Sequence, residues 1–364
     1  MKKSNLIYIF INLFLILSIA LFNYLVDPYF ILQKNKPLHV NRYLLDEPYI
    51  PIKIKKNEKY KYVLSGGSTV NVLNMQNLNK DLADISCFKI KVNDMAQLLF
   101  NYLDKHPETK TVFLPLDLRQ IADTSNNKIK HDKSENLTSK EYFRLLFSIQ
   151  TIKYSINKLI KRTPDYSVKL VKYKVHDIDI KPQKMEKIVE KSYSKMFKEL
   201  KKRNIEVICF IPPVHATRLV YLDETIGYDS ILRIKKFIIE QNGYLIDMAT
   251  INKFTSKPIK DVFYLFTDLI HPTDIYGYYI YNILLDNPKK DEDLYTFLTK
   301  ENVEIESQKE KEKILKWKKE NKKEYKYYLE GDKKEYTEKI EKTSHDIPKD
   351  FKILNYRKNL FYKN

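Results

Sequence analysis

From Ser4 to Val26 the chain carries no charged residue, and Leu, Ile and Phe dominate the run. At about 1.5 Å per residue, a helix of that length crosses the ~30 Å hydrocarbon core of a bilayer. Lys2 and Lys3 precede it as in a secretory signal, and Ser18-Ile19-Ala20 has the small-x-small form of a cleavage site. Apolar residues nevertheless continue through Leu25 and Val26, where a cleaved signal turns polar. The expectation is an uncleaved anchor, with membrane lipid met through residues 5–26. Lys34, Lys36 and Arg42 follow the span, so the positive-inside count does not orient it. A lone N-terminal span with a long soluble remainder most often exports that remainder. A single-pass cell-membrane protein with its bulk outside the cytoplasm is therefore expected.

The remaining chain is long enough for one large α/β domain with additions. Asp27-Pro28-Tyr29 ends the anchor, and residues 28–58 form a polar, proline-punctuated connector. Strand-like apolar runs then alternate with helical patterns. Strands are expected at about 60–65, from Cys87 to Val92, from Thr111 to Leu116, from Glu206 to Ile211 and from Tyr244 to Asp247. Helical faces are formed by Leu145, Ile149, Ile152, Ile156, Leu159 and Ile160, and by Met185, Ile188, Val189, Tyr193, Met196, Phe197 and Leu200. Further helices are expected at about 229–241 and from Thr273 to Leu285. Strands apolar throughout, with helices between them, indicate a parallel sheet covered on both faces. The fold class is thus α/β, a three-layer, flavodoxin-like parallel sheet preceded by one transmembrane helix. The domain is expected over 59–287, with a helical insertion at about 123–203. Residues 288–364 read as a charged, mostly helical tail without catalytic content.

The formal charge of +18 suits an anionic partner. Beside a membrane anchor, acidic lipid or an acidic or acylated glycan fits better than nucleic acid, which is not expected. Cys87 and Cys209 stand far apart in strand-like runs and are read as buried thiols, not a disulfide framework. No histidine–carboxylate cluster has metal-ligand spacing, and neither a phosphate-binding loop nor a dinucleotide fingerprint is present. No cofactor or metal is expected.

Two stretches carry the chemistry. In Tyr62-Val63-Leu64-Ser65-Gly66-Gly67-Ser68-Thr69-Val70 a strand meets two of only six glycines and then a serine. Glycine suits a turn that needs positive φ or close approach. A serine beyond it is either the N-cap of an ordinary helix or a nucleophile beside outward-facing N–H groups. In Thr267-Asp268-Leu269-Ile270-His271-Pro272 an aspartate precedes a histidine by three residues. The pair is either a surface helix start or a base whose tautomer a carboxylate fixes. Ser68, Asn93, Asp117 and His215 all follow expected strand ends and are expected along one sheet edge, where such folds bind ligands. His215 either contacts substrate there or simply ends a strand after Pro212-Pro213. Asp117 reads as a loop or cap carboxylate.

The glycine-serine turn after the first strand and Asp-x-x-His-Pro after the last resemble the SGNH (GDSL-type) hydrolase superfamily. The resemblance covers about residues 5–290. It is closest to the membrane-anchored, exported branch associated with bacterial cell-surface polysaccharides, which Asn23-Tyr24-Leu25-Val26-Asp27-Pro28-Tyr29 and Ile211-Pro212-Pro213-Val214-His215 also resemble. It implies Ser68 as nucleophile, His271 as general base and Asp268 as its orienting partner. It also implies an acyl-serine whose acyl group passes to water or to a sugar hydroxyl. A single span carries no acyl donor across a membrane, so a transferase implies a membrane partner that delivers it. Two family features are missing. No glycine occurs between Gly67 and Gly227, and Leu116-Asp117-Leu118 stands where Gly-x-Asn-Asp is usual. Gly67, the Ser68 N–H and the Asn93 amide are the candidate replacements around the oxyanion, with Asn93 equally readable as a turn residue. The alternative implied function is a non-catalytic assembly or glycan-binding component of a cell-surface polysaccharide system.

Overall fold

The computed structural model describes residues 3–26, 60–71, 82–86, 92–118, 139–149, 151–152, 156, 182–262, 265–266, 269–272, 274–285 and 294–330. The chain forms two compact units, Met1–Glu58 with Lys130–Asp165, and Lys59–Ile129 with Tyr166–Asn364.

The first unit contains helix α1, Lys3–Val26. Its stretch Ile7–Leu25 is long and apolar enough to cross a membrane. Two polar side chains within it are bonded to the helix backbone. Asn12 Nδ2 donates to Tyr8 O and Ser18 Oγ to Phe14 O, both at 2.8 Å, one turn back in the same helix.

The second unit is α/β. Six strands lie in the order β2-β1-β3-β4-β5-β6: β1 Tyr62–Leu64, β2 Leu82–Asp84, β3 Thr111–Pro115, β4 Glu206–Ile211, β5 Tyr244–Asp247 and β6 Thr296–Thr299. The first five are parallel and β6 pairs antiparallel with β5. Successive side chains of a strand point to opposite faces. All five residues of β3 and the last five of β4 are buried, so both faces of the central sheet are covered. The core runs through Val112, Phe113, Leu114, Cys209, Phe210, Leu245 and Ile246.

Helices α2 (Ser68–Asn71) and α3 (Val92–Lys105) follow β1 and β2. In the first unit α4 is Ser139–Phe147. The second continues with α5 (Pro182–Lys202), α6 (Ala216–Ile226), α7 (Tyr228–Asn242), α8 (Asp274–Leu285), α9 (Val303–Glu320) and α10 (Lys322–Glu330). Tyr193, Met196 and Leu200 of α5 are buried, as the spacing of that face requires.

Four expectations change. The second strand is Leu82–Asp84, while Val92 opens a helix whose face is Val92, Met95, Leu99, Tyr102 and Leu103. Alternation at Phe88, Ile90 and Val92 imitated a strand, and residues 87–91, with Cys87, lie outside the described residues. The insertion is divided, because α4 belongs to the unit of α1, whereas α5 packs on α3 and α7. Its first face is not buried as a whole: Leu145 is, but Ile149 is 83% exposed. Finally, part of the charged tail is structural. β6 extends the sheet, and α9 packs against α6, α7 and β6 with Trp317 buried.

Candidate functional site

The strand order reverses between β1 and β3, the topological switch point of this sheet. In open α/β sheets the crevice beyond the carboxyl ends of the strands at that point is the usual ligand site. The glycine turn leaves β1 there. Ser65 N–H donates to Phe113 O and keeps the ladder going for one residue beyond the strand. Gly66 then passes so close to its neighbours that an added Cβ would lie 2.4 Å from Pro115 Cγ and 2.5 Å from Val70 Cγ2. Glycine is needed here for close approach, not for positive φ. Gly67 is buried, and its carbonyl accepts from Val70 N–H as the chain enters α2 with Ser68 as first residue.

Across the switch point, Thr69 Oγ1 donates to Asp117 Oδ2 at 2.9 Å, and both side chains are buried. The start of α2 and the loop after β3 are thereby joined by a hydrogen bond to a carboxylate, a stronger link than a neutral pair. α5 closes over this joint, for Tyr193 donates to Pro115 O at 3.2 Å. Burial, then the charges of Cys209 and Asp117, push the Tyr193 phenol well above its ordinary pKa, so it remains a donor. Asp117 thus braces the turn, as a cap-type carboxylate would. Thr69 as its partner was not foreseen, because nothing local links positions so far apart in sequence.

Asn93 is not at a strand end. It sits exposed in the first turn of α3, and its Oδ1 accepts from Ser192 Oγ at 2.7 Å. An oxyanion role would fall to Nδ2, the end of the amide that this bond leaves out.

His215 is capped into the protein. Its ring has no exposed surface. Nε2 lies 2.7 Å from Lys257 O, which can only accept, so this nitrogen carries the proton. Nδ1 is then the acceptor for the Thr217 N–H at 3.2 Å and caps α6. Burial lowers the pKa from 6.5 to about 4, against the pull of the Lys257 carbonyl. The ring edges meet Trp317 and Phe266. Of the two expected roles, substrate contact is closed to a ring so enclosed, and the structural one is observed.

His215 also positions the second chemical segment. Its backbone N–H donates to Leu269 O at 2.8 Å, tying the loop of His271 to the carboxyl end of β4. An antiparallel bridge between Phe266 and Pro272 closes that loop, and Leu269 takes the left-handed φ of +67° that the tight bend requires. Leu269 and Ile270 are buried, whereas His271 is half-buried. The apolar pair holds the loop down and leaves His271 partly exposed. Asp268 lies outside the described residues, as does the side chain of Ser68.

The Ser68 turn and the His271 loop therefore rise from the same, carboxyl edge of the sheet. The Ser68 turn leaves β1, whereas the His271 loop follows β5 in the chain and is tied to the end of β4, which with β1 flanks β3. At ~4.8 Å per strand, β4 lies about 10 Å from β1 and β5 about 14 Å from it. No group of His, Cys, Asp and Glu able to hold a metal occurs among the described residues. No protein-family model matches the chain, and no curated protein does.

Proposed function

We propose that this chain is an SGNH-type serine esterase or O-acyltransferase that modifies a cell-envelope glycan outside the cytoplasm. The finer architecture belongs to this reading: a three-layer, flavodoxin-like domain held at the membrane by α1. The strand order 2-1-3-4-5 among the parallel strands supports that architecture.

The observation that carries the function is the glycine turn at the switch point. It delivers Ser68 to a helix start on the edge where the His271 loop is pinned. In the proposed reaction His271 takes the proton of Ser68 Oγ as the oxygen attacks an ester carbonyl. Asp268 orients the ring, and collapse of the tetrahedral adduct breaks the ester C–O bond, the departing alcohol taking the proton from His271 and leaving an acyl-serine. His271 then deprotonates water or a sugar hydroxyl, which attacks the acyl carbon and regenerates the serine. The Ser68 N–H, the backbone at Gly67 and the Asn93 amide are the candidate donors to the oxyanion, each typically worth ~3 kcal/mol in the transition state. A transferase of this kind draws its acyl group from a membrane partner.

The test is labelling by a serine-directed phosphonate together with turnover of an acetyl ester probe. Ser68→Ala should keep the unfolding midpoint and lose both signals. Full activity in that variant would remove Ser68 from the mechanism. The second reading, a non-catalytic glycan-binding or assembly component, is favoured by Leu116-Asp117-Leu118 in place of Gly-x-Asn-Asp and by the enclosure of His215. It requires glycan binding without phosphonate labelling, and rapid stoichiometric labelling at Ser68 would end it.

A further inference from the structure

The unit of α1 contains a second apolar surface. We propose that α4 lies in the headgroup layer of the bilayer as an interfacial helix, beside the end of the span formed by α1; the proposal rests on α1 being that span.

Three observations carry it. First, α4 sits at the boundary of the apolar stretch. Asn23, wholly buried, donates through Nδ2 to Leu146 O at 2.7 Å. Asn23 is two residues from the end of the stretch Ile7–Leu25, about 3 Å along the axis. Leu146 lies in the last turn of α4, where carbonyls have no partner within the helix. A side-chain amide in place of water is what a helix end needs where water is scarce.

Second, among the described side chains of α1, protein covers only those of the last turns. Ile19, Ala20, Phe22 and Asn23 are wholly or partly buried, whereas Ile7 to Ser18 are bare. The apolar surface resumes on α4 and just beyond it, where Phe143 is 60% exposed and Ile149 83%. Phe143 and Phe147 stack at 5.9 Å between ring centroids and form one row along the helix. Aromatic rows of this kind favour the boundary between headgroups and acyl chains.

Third, the neighbouring row is cationic. Lys140 and Arg144, also four residues apart, are both exposed. Side chains with this spacing lie one above the other on a helix. An aromatic row beside a basic one gives α4 the composition of a helix that rests on a lipid surface, its apolar side within the acyl boundary and its cations at the phosphates. A soluble partner would explain the aromatic row alone, but not its place beside the end of a helix apolar enough to span a bilayer.

The test uses the full chain in vesicles of phosphatidylcholine and phosphatidylglycerol whose acyl chains carry bromine either near the headgroup or near the terminal methyl. Trp317 is the sole tryptophan and is buried in the α/β unit, so the parent protein supplies the baseline. Phe143→Trp and Ile149→Trp should be quenched by the shallow bromines about twice as strongly as by the deep ones, as expected for residues 5–10 Å into the boundary. Leu13→Trp, in mid-span, should be quenched most by the deep bromines. If Leu13→Trp is quenched but the two other tryptophans are not, α4 is not interfacial and the span stands. If Leu13→Trp also escapes quenching, the span itself is refuted and the proposal falls with it. Shielding of Phe143→Trp from both bromine and aqueous acrylamide would mean that protein covers α4, and would equally overturn it.

Discussion

At the scale of single residues, the switch-point turn is held by contacts that leave little room for substitution. In Gly66→Ala the new methyl would fall within 2.5 Å of Pro115 and Val70, both part of the packed joint. Relieving it requires movement of a ring and of the start of α2, a strain of the overpacking kind, about 1–3 kcal/mol. A lower urea midpoint with an unchanged slope would register this, and an unchanged midpoint would mean that the turn yields freely. His215 makes a pH-dependent contribution. Its folded pKa, about 4, lies below the ordinary 6.5, so the unfolded chain takes up the proton first. The stability tied to the neutral ring is complete above about pH 6.5 and drains away as the pH falls towards 4. The depression corresponds to about 3 kcal/mol. His215→Asn keeps a capping acceptor for the Thr217 N–H and removes the titration. It should flatten the stability profile between pH 6.5 and 4, measured as denaturation midpoints across that range. An undiminished slope would place the titrating group elsewhere.

At the scale of elements, α9 separates pattern from composition. Its buried positions are Val303, Ser307, Glu310, Ile314 and Trp317, a regular helical stripe in which two of the five residues are polar. Composition therefore reads as a solvated charged helix, although the spacing is that of a packed one. Glu310 finds its partner only in the folded molecule, while the buried Ser307 hydroxyl has none among the described residues. Glu310 Oε1 accepts from Ile251 N–H at 2.7 Å, and its remaining desolvation raises its pKa. The same neighbourhood holds the buried pair Lys235–Asp247 at 2.6 Å. Burial works to lower the Lys235 pKa, but the attraction of Asp247 prevails and holds it above its ordinary value. Trp317 is the apolar anchor of the helix and packs edge-on against His215. Trp317→Ala should therefore cost about 3–5 kcal/mol, as removal of a large core aromatic does. The check is thermal unfolding followed by far-UV circular dichroism, and a loss below 1 kcal/mol, the scale of a surface change, would return α9 to the solvated class. The central strands were legible by contrast, because β3, β4 and β5 are runs that no alternative pattern fits. β2 was not, since three residues carry too little periodicity to outweigh the false alternation after them.

At the scale of the whole molecule, the α/β unit extends well past residue 287. β6 covers the outer edge of β5, with Tyr244 and Phe297 stacked at 5.2 Å. Lys318 of α9 and Tyr325 of α10 both bond to Glu224, and Glu324 of α10 accepts from the Ile259 N–H. A chain truncated at Asn287 should expose the β5 edge and the apolar faces of α6 and α7, and then aggregate. Its partition into the insoluble fraction on expression without α1 would register this, and a monodisperse, cooperatively unfolding product would refute it. The sequence by itself determined whatever rests on local pattern: an apolar helix long enough to span a bilayer, the parallel-strand runs, and a glycine turn and a histidine loop that each come after a strand. Tertiary structure alone decided the rest. It gave His215 to the core and Asp117 to Thr69, moved Asn93 from a strand end to a helix start, and made a charged tail part of the sheet. These outcomes depend on which polar groups are buried together, since burying a polar group costs free energy unless it is hydrogen-bonded, and the partners of Asp117, Asn93 and the His215 Nε2 stand far off in the chain.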